Sequence, residues 1–285
     1  MKLLILTDFS DNSVNAYRYG VKMACQLKAE LLLLFSTNGV PMSLTNQLQY
    51  SQQLSSFAKR YGCDTRQSFN PHHPESLLSS DPWPELLPAM VAVHQPDLIL
   101  ACSDLLEQIG PGGQSYALQD MGGCPVLWIP EKAVYQPLRH LVFVTDFTDQ
   151  HPAVVEQVKT LARALGGQVS PLHFYPAADW GLVAGFSKQG AILQASLDET
   201  SAPYHLVEEE DMMEGLQDYA DSHPADLFML ATRDTHLARH YLQPFYRKTQ
   251  ACQLSIPLLN LFQENKKPCA GSCAFCRIQE EDPRP

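Results

Sequence analysis

No stretch of this 285-residue chain approaches the roughly 20 consecutive apolar residues needed to cross a bilayer. A secretory leader is not expected either, because Lys2 is followed by only a short apolar run before Asp8 and no small-residue cleavage site succeeds it. A cytoplasmic location is the expectation. Basic residues are scarce, 20 Lys and Arg against 31 Asp and Glu for a net charge of -11. That balance excludes nucleic acid as an expected partner, since phosphate backbones require a basic face. The lack of a basic amphipathic helix argues against docking on a membrane surface. Also missing are His-Glu-x-x-His, a Walker loop and any Ser/His/Asp order, so no hydrolase or kinase site can be assembled. An enzyme is therefore not expected. For nucleotide hydrolysis, the one activity left open, no general base can be named.

What the chain does contain is one pattern written twice. Leu3 to Asp11 (Leu-Leu-Ile-Leu-Thr-Asp-Phe-Ser-Asp) returns as Leu141 to Asp149 (Leu-Val-Phe-Val-Thr-Asp-Phe-Thr-Asp). Gln95 to Ala101 returns as Pro224 to Ala231, and Cys124 to Leu127 as Ile256 to Leu259. Copies this long are domains, each able to bury its own core. We place them at residues 1–130 and 138–262, joined by Pro130 to Pro137 and followed by a tail at 263–285.

Within each copy, continuous apolar runs alternate with amphipathic stretches, the mark of buried parallel strands and crossover helices. Copy one predicts strands at Lys2 to Thr7, Glu30 to Phe35, Thr65 to Phe69, Leu98 to Cys102 and Val126 to Ile129. Helices are expected at Val14 to Leu27, capped by Asp11 or Asn12, then Leu44 to Tyr61 and Trp83 to Val93, with a proline-rich loop around His72 and His73. Copy two predicts strands at Leu141 to Thr145, Val169 to Phe174, His205 to Glu208, Leu227 to Ala231 and Leu258 to Phe262. Its helices fall at Pro152 to Leu165, Ala191 to Leu197, Met212 to Ser222 and Phe245 to Leu254. The fold class is α/β: two tandem, doubly wound, five-stranded parallel sheets. In such sheets the ligand crevice opens at the carboxyl ends of the strands where strand order reverses, and Thr7-Asp8 and Thr145-Asp146 end the first strand of each copy.

These landmarks resemble the universal stress protein family over residues 1 to about 262. The residues that carry the likeness are Thr7 to Ser10, Thr145 to Thr148, Leu172-His173-Phe174, the Pro-Asp-Leu lead-in to strand four and the Cys-Pro-Val-Leu lead-in to strand five. The resemblance implies the tandem form, the halves packing as an intramolecular pseudo-dimer, with a non-catalytic stress-response role as a regulatory or sensing module. It also implies an adenine nucleotide, ATP or AMP, in members that keep a Gly-x-x-Gly loop and a later Gly-Ser or Gly-Thr after strand four. Here Cys102 and Leu105 stand at the first two glycines, while Gly112-Gly113 fall on the later pair. The segment Gly110 to Ser115 can still offer unhindered amides to an anion, or be only a turn and a helix start.

The candidate nucleotide residues are accordingly Thr7, Asp8 and Phe35 at strand ends, with Gly110, Gly112, Gly113 and Ser115 in the loop. Asp8 would accept from ribose hydroxyls or an adenine amine; its plainer role is to cap the following helix. Phe9 and Phe147 are read as core residues. In copy two, Ala231 and Asp234 replace the first glycines and Pro244-Phe245 the later pair, with Arg233, Arg239 and Arg247 nearby. No nucleotide is expected there.

Of eight cysteines, Cys25, Cys63, Cys102, Cys124 and Cys252 are read as small apolar side chains. Cys269, Cys273 and Cys276 crowd the tail with three and then two residues between them. This spacing resembles the cluster motif of radical S-adenosylmethionine enzymes, but nine residues remain after Cys276, too few for a substrate domain. The local chemistry admits Zn or an Fe-S cluster with an unspecified fourth ligand, for which Cys252, His240 or a partner chain are candidates. It equally admits a Cys273/Cys276 redox pair, or a tail with no such role. A metal- or redox-responsive adaptor is thus the alternative to the stress-response module, and a homo-oligomer or a protein partner through the tail stays open.

Overall fold

The computed structural model describes residues 1–62, 74–102, 105, 123–147, 150–232 and 255–263. They fall into two compact units, the first comprising the described residues of Met1–Pro137 together with Ser255–Phe262, the second beginning at Leu138.

Unit 1 runs β1 (Lys2–Thr7), α1 (Asp11–Leu27), β2 (Glu30–Ser36), α2 (Leu44–Tyr61), β3 (Glu75–Ser79), α3 (Trp83–His94), β4 (Leu98–Cys102) and β5 (Val126–Ile129). The strands are parallel in the order β3-β2-β1-β4-β5. Both faces of β1 are covered, which is why Leu3, Leu4, Ile5 and Leu6 all have no exposed surface and why the run lacks polar alternation. On α1 the buried Val14, Tyr17, Val21 and Ala24 recur at three- and four-residue spacing. Gly20 lets that helix approach the sheet, since a Cβ there would lie 2.6 Å from Ile5 Cδ1.

Unit 2 runs β6 (His140–Val144), α4 (Pro152–Leu165), β7 (Gln168–Tyr175), a 3-10 turn (Ala177–Leu182), α5 (Val183–Ser196), β8 (His205–Glu208), α6 (Met212–Ser222) and β9 (Leu227–Thr232). Its strands are parallel in the order β9-β6-β7-β8. The final strand, β10 (Leu258–Phe262), pairs antiparallel with β5, Leu259 opposite Leu127 and Asn260 opposite Val126.

The repeated Pro-Asp-Leu and Ala-Asp-Leu landmarks have one structural job. Asp97 Oδ2 accepts from the backbone N–H of Lys2 at 2.7 Å, and Asp226 Oδ2 accepts from that of His140 at 2.8 Å. Each carboxylate thus fastens the start of its unit's central strand to the strand beside it.

Three expectations need amendment. The third strand of copy one is Glu75–Ser79, in a stretch read as loop, while the stretch read as strand, residues 65–69, lies outside the described residues. As a half-exposed edge strand rich in Glu and Ser, β3 carries little apolar signal. The cap of α1 is Ser10 rather than Asp11 or Asn12. The second helix of copy two begins at Val183, well before Ala191, because it buries little beyond Gly190 and Leu193 and so shows weak periodicity. The expected helix at 245–254 lies outside the described residues.

Candidate functional site

In unit 1 strand order reverses between β1 and β4, so their carboxyl ends frame the crevice. Thr7 and Phe35 are register partners at the ends of β1 and β2. Immediately after β1 the chain turns sharply: Phe9 has φ of 65°, costly for a bulky residue, and its N–H is held by Thr7 Oγ1 at 3.1 Å. The turn lays the Phe9 ring 4.7 Å from Phe35 and 5.6 Å from Phe57, and Phe35 in turn meets Tyr50 at 4.9 Å.

Asp8 is built into the helix start. Its Oδ1 accepts from Ser10 N–H at 2.9 Å and from the Ser13 hydroxyl, while Ser13 Oγ accepts from Asp8 N–H at 3.2 Å. Ser10 Oγ accepts from Ser13 N–H at 3.2 Å, capping α1. Burial acts to raise the Asp8 carboxyl, yet the Ser10 and Ser13 hydrogen bonds outweigh it and hold the group below its ordinary 3.8, ionised at neutral pH. Both of these bonds fall on Oδ1. Asp8 is therefore both the capping anchor and an available acceptor.

Cys102, standing where the family's first glycine would be, is buried with Sγ 3.8 Å from Ser13 Oγ, and Leu105 is buried as well. Thiol and isobutyl groups occupy what would otherwise be open backbone. Gly110, Gly112, Gly113 and Ser115 lie outside the described residues, as do Cys269, Cys273 and Cys276. The structure thus brings Thr7, Asp8 and Phe35 together. It adds Ser10 and Ser13, whose grip on Asp8 the sequence reading missed and for which the Ser-x-x-Ser spacing after the strand was the available signal, and it sets Cys102, read at the first glycine position, beside them. Cys124 fits its reading as an inert buried thiol, pushed up to about 12 by burial and the nearby Asp97 charge.

The same edge of unit 2 is chemically different. Gln150 Nε2 donates to Thr145 Oγ1 at 3.0 Å and to the Asp146 carbonyl at 2.6 Å, so an amide crosses the strand end. His173 is buried with Nδ1 3.2 Å from the Thr145 carbonyl, its ring against Phe147 and Phe186. Burial lowers its pKa against the opposing pull of the Asp146 and Asp179 charges. Beside it a cavity of about 380 Å³ opens between α4 and α5, with Phe147, Val155 and Leu193 among its walls. Asp234, Pro244, Phe245 and the arginines 233, 239 and 247 lie outside the described residues. Among the described residues no group of three or more His, Cys, Asp or Glu side chains could hold a metal ion, and no helix is long and apolar enough to cross a membrane.

Two doubly wound units define a fold, and solved structures share that fold. A universal stress protein from Archaeoglobus fulgidus DSM 4304 superposes with a TM-score of 0.57 at 10% identity, over 93% of this chain and 97% of that one. A functionally unknown protein from Pseudomonas aeruginosa PAO1 superposes with a TM-score of 0.51 at 13% identity, over 92% of each chain. No protein-family model matches the sequence, and no curated protein matches it. The fold of this chain is the universal stress protein fold, and the first match spans both copies.

Proposed function

We propose that this chain is a tandem universal stress protein, a non-catalytic stress-response regulatory or sensing module whose first copy takes an adenine nucleotide, ATP or AMP. The observation that carries this reading is Asp8: an ionised carboxylate at the switch point, with Oδ1 fixed by the α1 cap and Oδ2 left to accept from ribose hydroxyls. Phe35, the register partner of Thr7, would wall the base. Phosphates would fall to Gly110, Gly112, Gly113 and Ser115. With Cys102 and Leu105 replacing glycine amides, fewer donors face a phosphate, which favours AMP over ATP.

Calorimetric titration of ATP and AMP into the reduced, metal-free full chain tests this. One-site micromolar binding that Asp8→Ala abolishes is expected; no heat at millimolar nucleotide rejects the nucleotide role. The tail carries a separate proposal, that Cys269, Cys273 and Cys276 bind Zn or an Fe-S cluster in a metal- or redox-responsive adaptor. Metal analysis of natively purified protein decides it, with stoichiometric Zn or Fe as the supporting result.

A further inference from the structure

A constant numerical offset relates Thr7 to Thr145, the left-handed helix cap Lys28 to Gly166, and the strand start Glu30 to Gln168. The first helices of the two copies are therefore in register without a gap, and their side chains can be compared one for one. Tyr17 of α1 corresponds to Val155 of α4, and Arg18 to Glu156.

In unit 1 the space between α1 and α2 is filled. The Tyr17 ring, 1% exposed, lies 5.2 Å from Phe57, and its hydroxyl donates to the Ala58 carbonyl at 3.5 Å. The Arg18 guanidinium sits 5.1 Å over the Tyr61 ring. In unit 2 the ring is cut back to Val155 and the cation is replaced by a carboxylate. What remains between α4 and α5 is the 380 Å³ cavity, walled by Phe147, Val155 and Leu193 and edged by Gln150, Glu156 and Gln189. Its volume is at the small end of ligand sites, enough for one or two fused rings. None of the lining side chains is cationic. Lys159, next to Glu156 at 2.9 Å, is shared with Asp198 at 2.8 Å, so it leaves no positive excess.

We propose that this cavity of unit 2 is a binding site for a small cationic aromatic molecule, an arylalkylamine in chemical class. The aromatic ring would occupy the volume that Tyr17 fills in unit 1, packed among Phe147, Val155 and Leu193. The ammonium would face Glu156, and the Gln189 amide oxygen would accept from its N–H groups, the Gln150 amide being turned to the strand end. A phosphate or carboxylate would instead meet Glu156, whose neighbouring cation Lys159 is divided between Glu156 and Asp198, so the site disfavours nucleotides. This inference is independent of the nucleotide reading of unit 1.

The test uses the full chain with tryptamine as probe and indole-3-acetate, of similar shape and opposite charge, as comparator, followed by ligand-observed NMR and calorimetry. Saturable tryptamine binding is expected at about 0.1–1 mM, in line with a ligand of this size. Because the Glu156 side chain is 63% exposed and hence screened, the preference over indole-3-acetate should be only about 3- to 10-fold, and Glu156→Gln should erase it. Val155→Tyr, which restores the unit 1 ring, should weaken binding at least 10-fold. Ser196→Phe fills the cavity from α5 and decides the matter if Val155→Tyr does not fold. The proposal is overturned by absence of saturable binding up to 10 mM, by unchanged affinity in a folded cavity-filling variant, or by indole-3-acetate binding as tightly as tryptamine.

Discussion

Replacing Asn260 by leucine should make the protein more stable. Asn260 lies in β10 opposite Val126, 1% exposed, and among the described residues neither its amide nitrogen nor its amide oxygen has a hydrogen-bond partner. An amide offers two donors and an acceptor, and burying one without partners costs about 1–3 kcal/mol on the scale of protein mutational data. Leucine has the same branch point at Cγ and the same number of side-chain heavy atoms, with bulkier methyl ends, so it removes that cost without opening a cavity and adds apolar contact with the neighbouring strand. Small steric mismatch offsets part of the gain, leaving about 2 kcal/mol. For a unit of this size a kilocalorie shifts the midpoint by about 2–4 °C, so a rise of about 4–8 °C is expected. Scanning calorimetry, following the transition that carries unit 1, and urea unfolding with an unchanged m-value read the effect. A companion Asn260→Asp should fall by at least about 3 kcal/mol, because it buries an unpaired charge. An unchanged or lowered midpoint in the leucine variant, at constant m, would refute the reasoning, since it would mean that the amide is satisfied after all.

The remaining predictions concern the strand-end sites and a tight contact. Ser13→Ala removes the hydroxyl that donates to Asp8 and should cost about 1 kcal/mol, with the Asp8 carboxyl rising toward its ordinary range in an NMR titration. Because the folded Asp8 pKa is depressed, its stabilisation is present above the unfolded value near 3.8 and is lost as pH falls through the lower folded value. Urea unfolding should therefore separate wild type from Asp8→Asn at pH 7 and converge toward pH 2. His173 is likewise depressed, so the fold should lose stability as pH drops below about 6.5; His173→Gln should flatten that slope, and an unaltered slope would show that another group titrates. Gly190→Ala places a Cβ 2.6 Å from Phe147 Cε2 and 2.8 Å from Tyr204 Cδ2, which should cost about 1–3 kcal/mol by thermal denaturation.

Legibility followed how clearly an element's ends are marked more than how deeply it is buried, since the edge strand β8 and the sparsely buried α2 were both read to the residue. The bounds of β4, β5, β8 and β10 match the sequence reading residue for residue, as do those of α2, α4 and α6. For the strands the cause is an apolar run broken at both ends; for the helices it is a cap or a left-handed terminator such as Gly166. Where an element buries little and also lacks a clear start, the signal fades: β3 is a half-exposed edge, and α5 has no side-chain cap. The site was half visible. Thr7, Asp8 and Phe35 could be placed because each ends a readable strand, but the Ser10/Ser13 grip on Asp8 depends on a turn with a left-handed Phe9, which no periodicity reveals. The unit 2 cavity was invisible for a different reason. A valine on the buried face of a helix reads as core, and whether the space beyond it is filled depends on α5, distant in sequence.

Duplication explains how one fold holds two unlike sites. The parts that set the frame are repeated with the same chemistry: Asp97 and Asp226 fasten the central strands, and the left-handed Lys28 and Gly166 end the first helices at equivalent positions. The parts that face a ligand are not. Ser13, which backs Asp8, becomes His151, whose Nδ1 accepts from Ala153 N–H at 3.2 Å. Asn12 becomes Gln150, whose amide ties Thr145 Oγ1 to the Asp146 carbonyl. Tyr17 becomes Val155, and Arg18 becomes Glu156. Substitutions at four positions in one helix start thus turn a carboxylate held open for a hydroxyl into an amide-crossed edge beside an acidic-rimmed cavity. Because the frame residues are separate from these four, Asp8→Ala and Val155→Tyr should each alter one proposed site while leaving the strands of both units intact, so the two binding proposals can be tested one at a time.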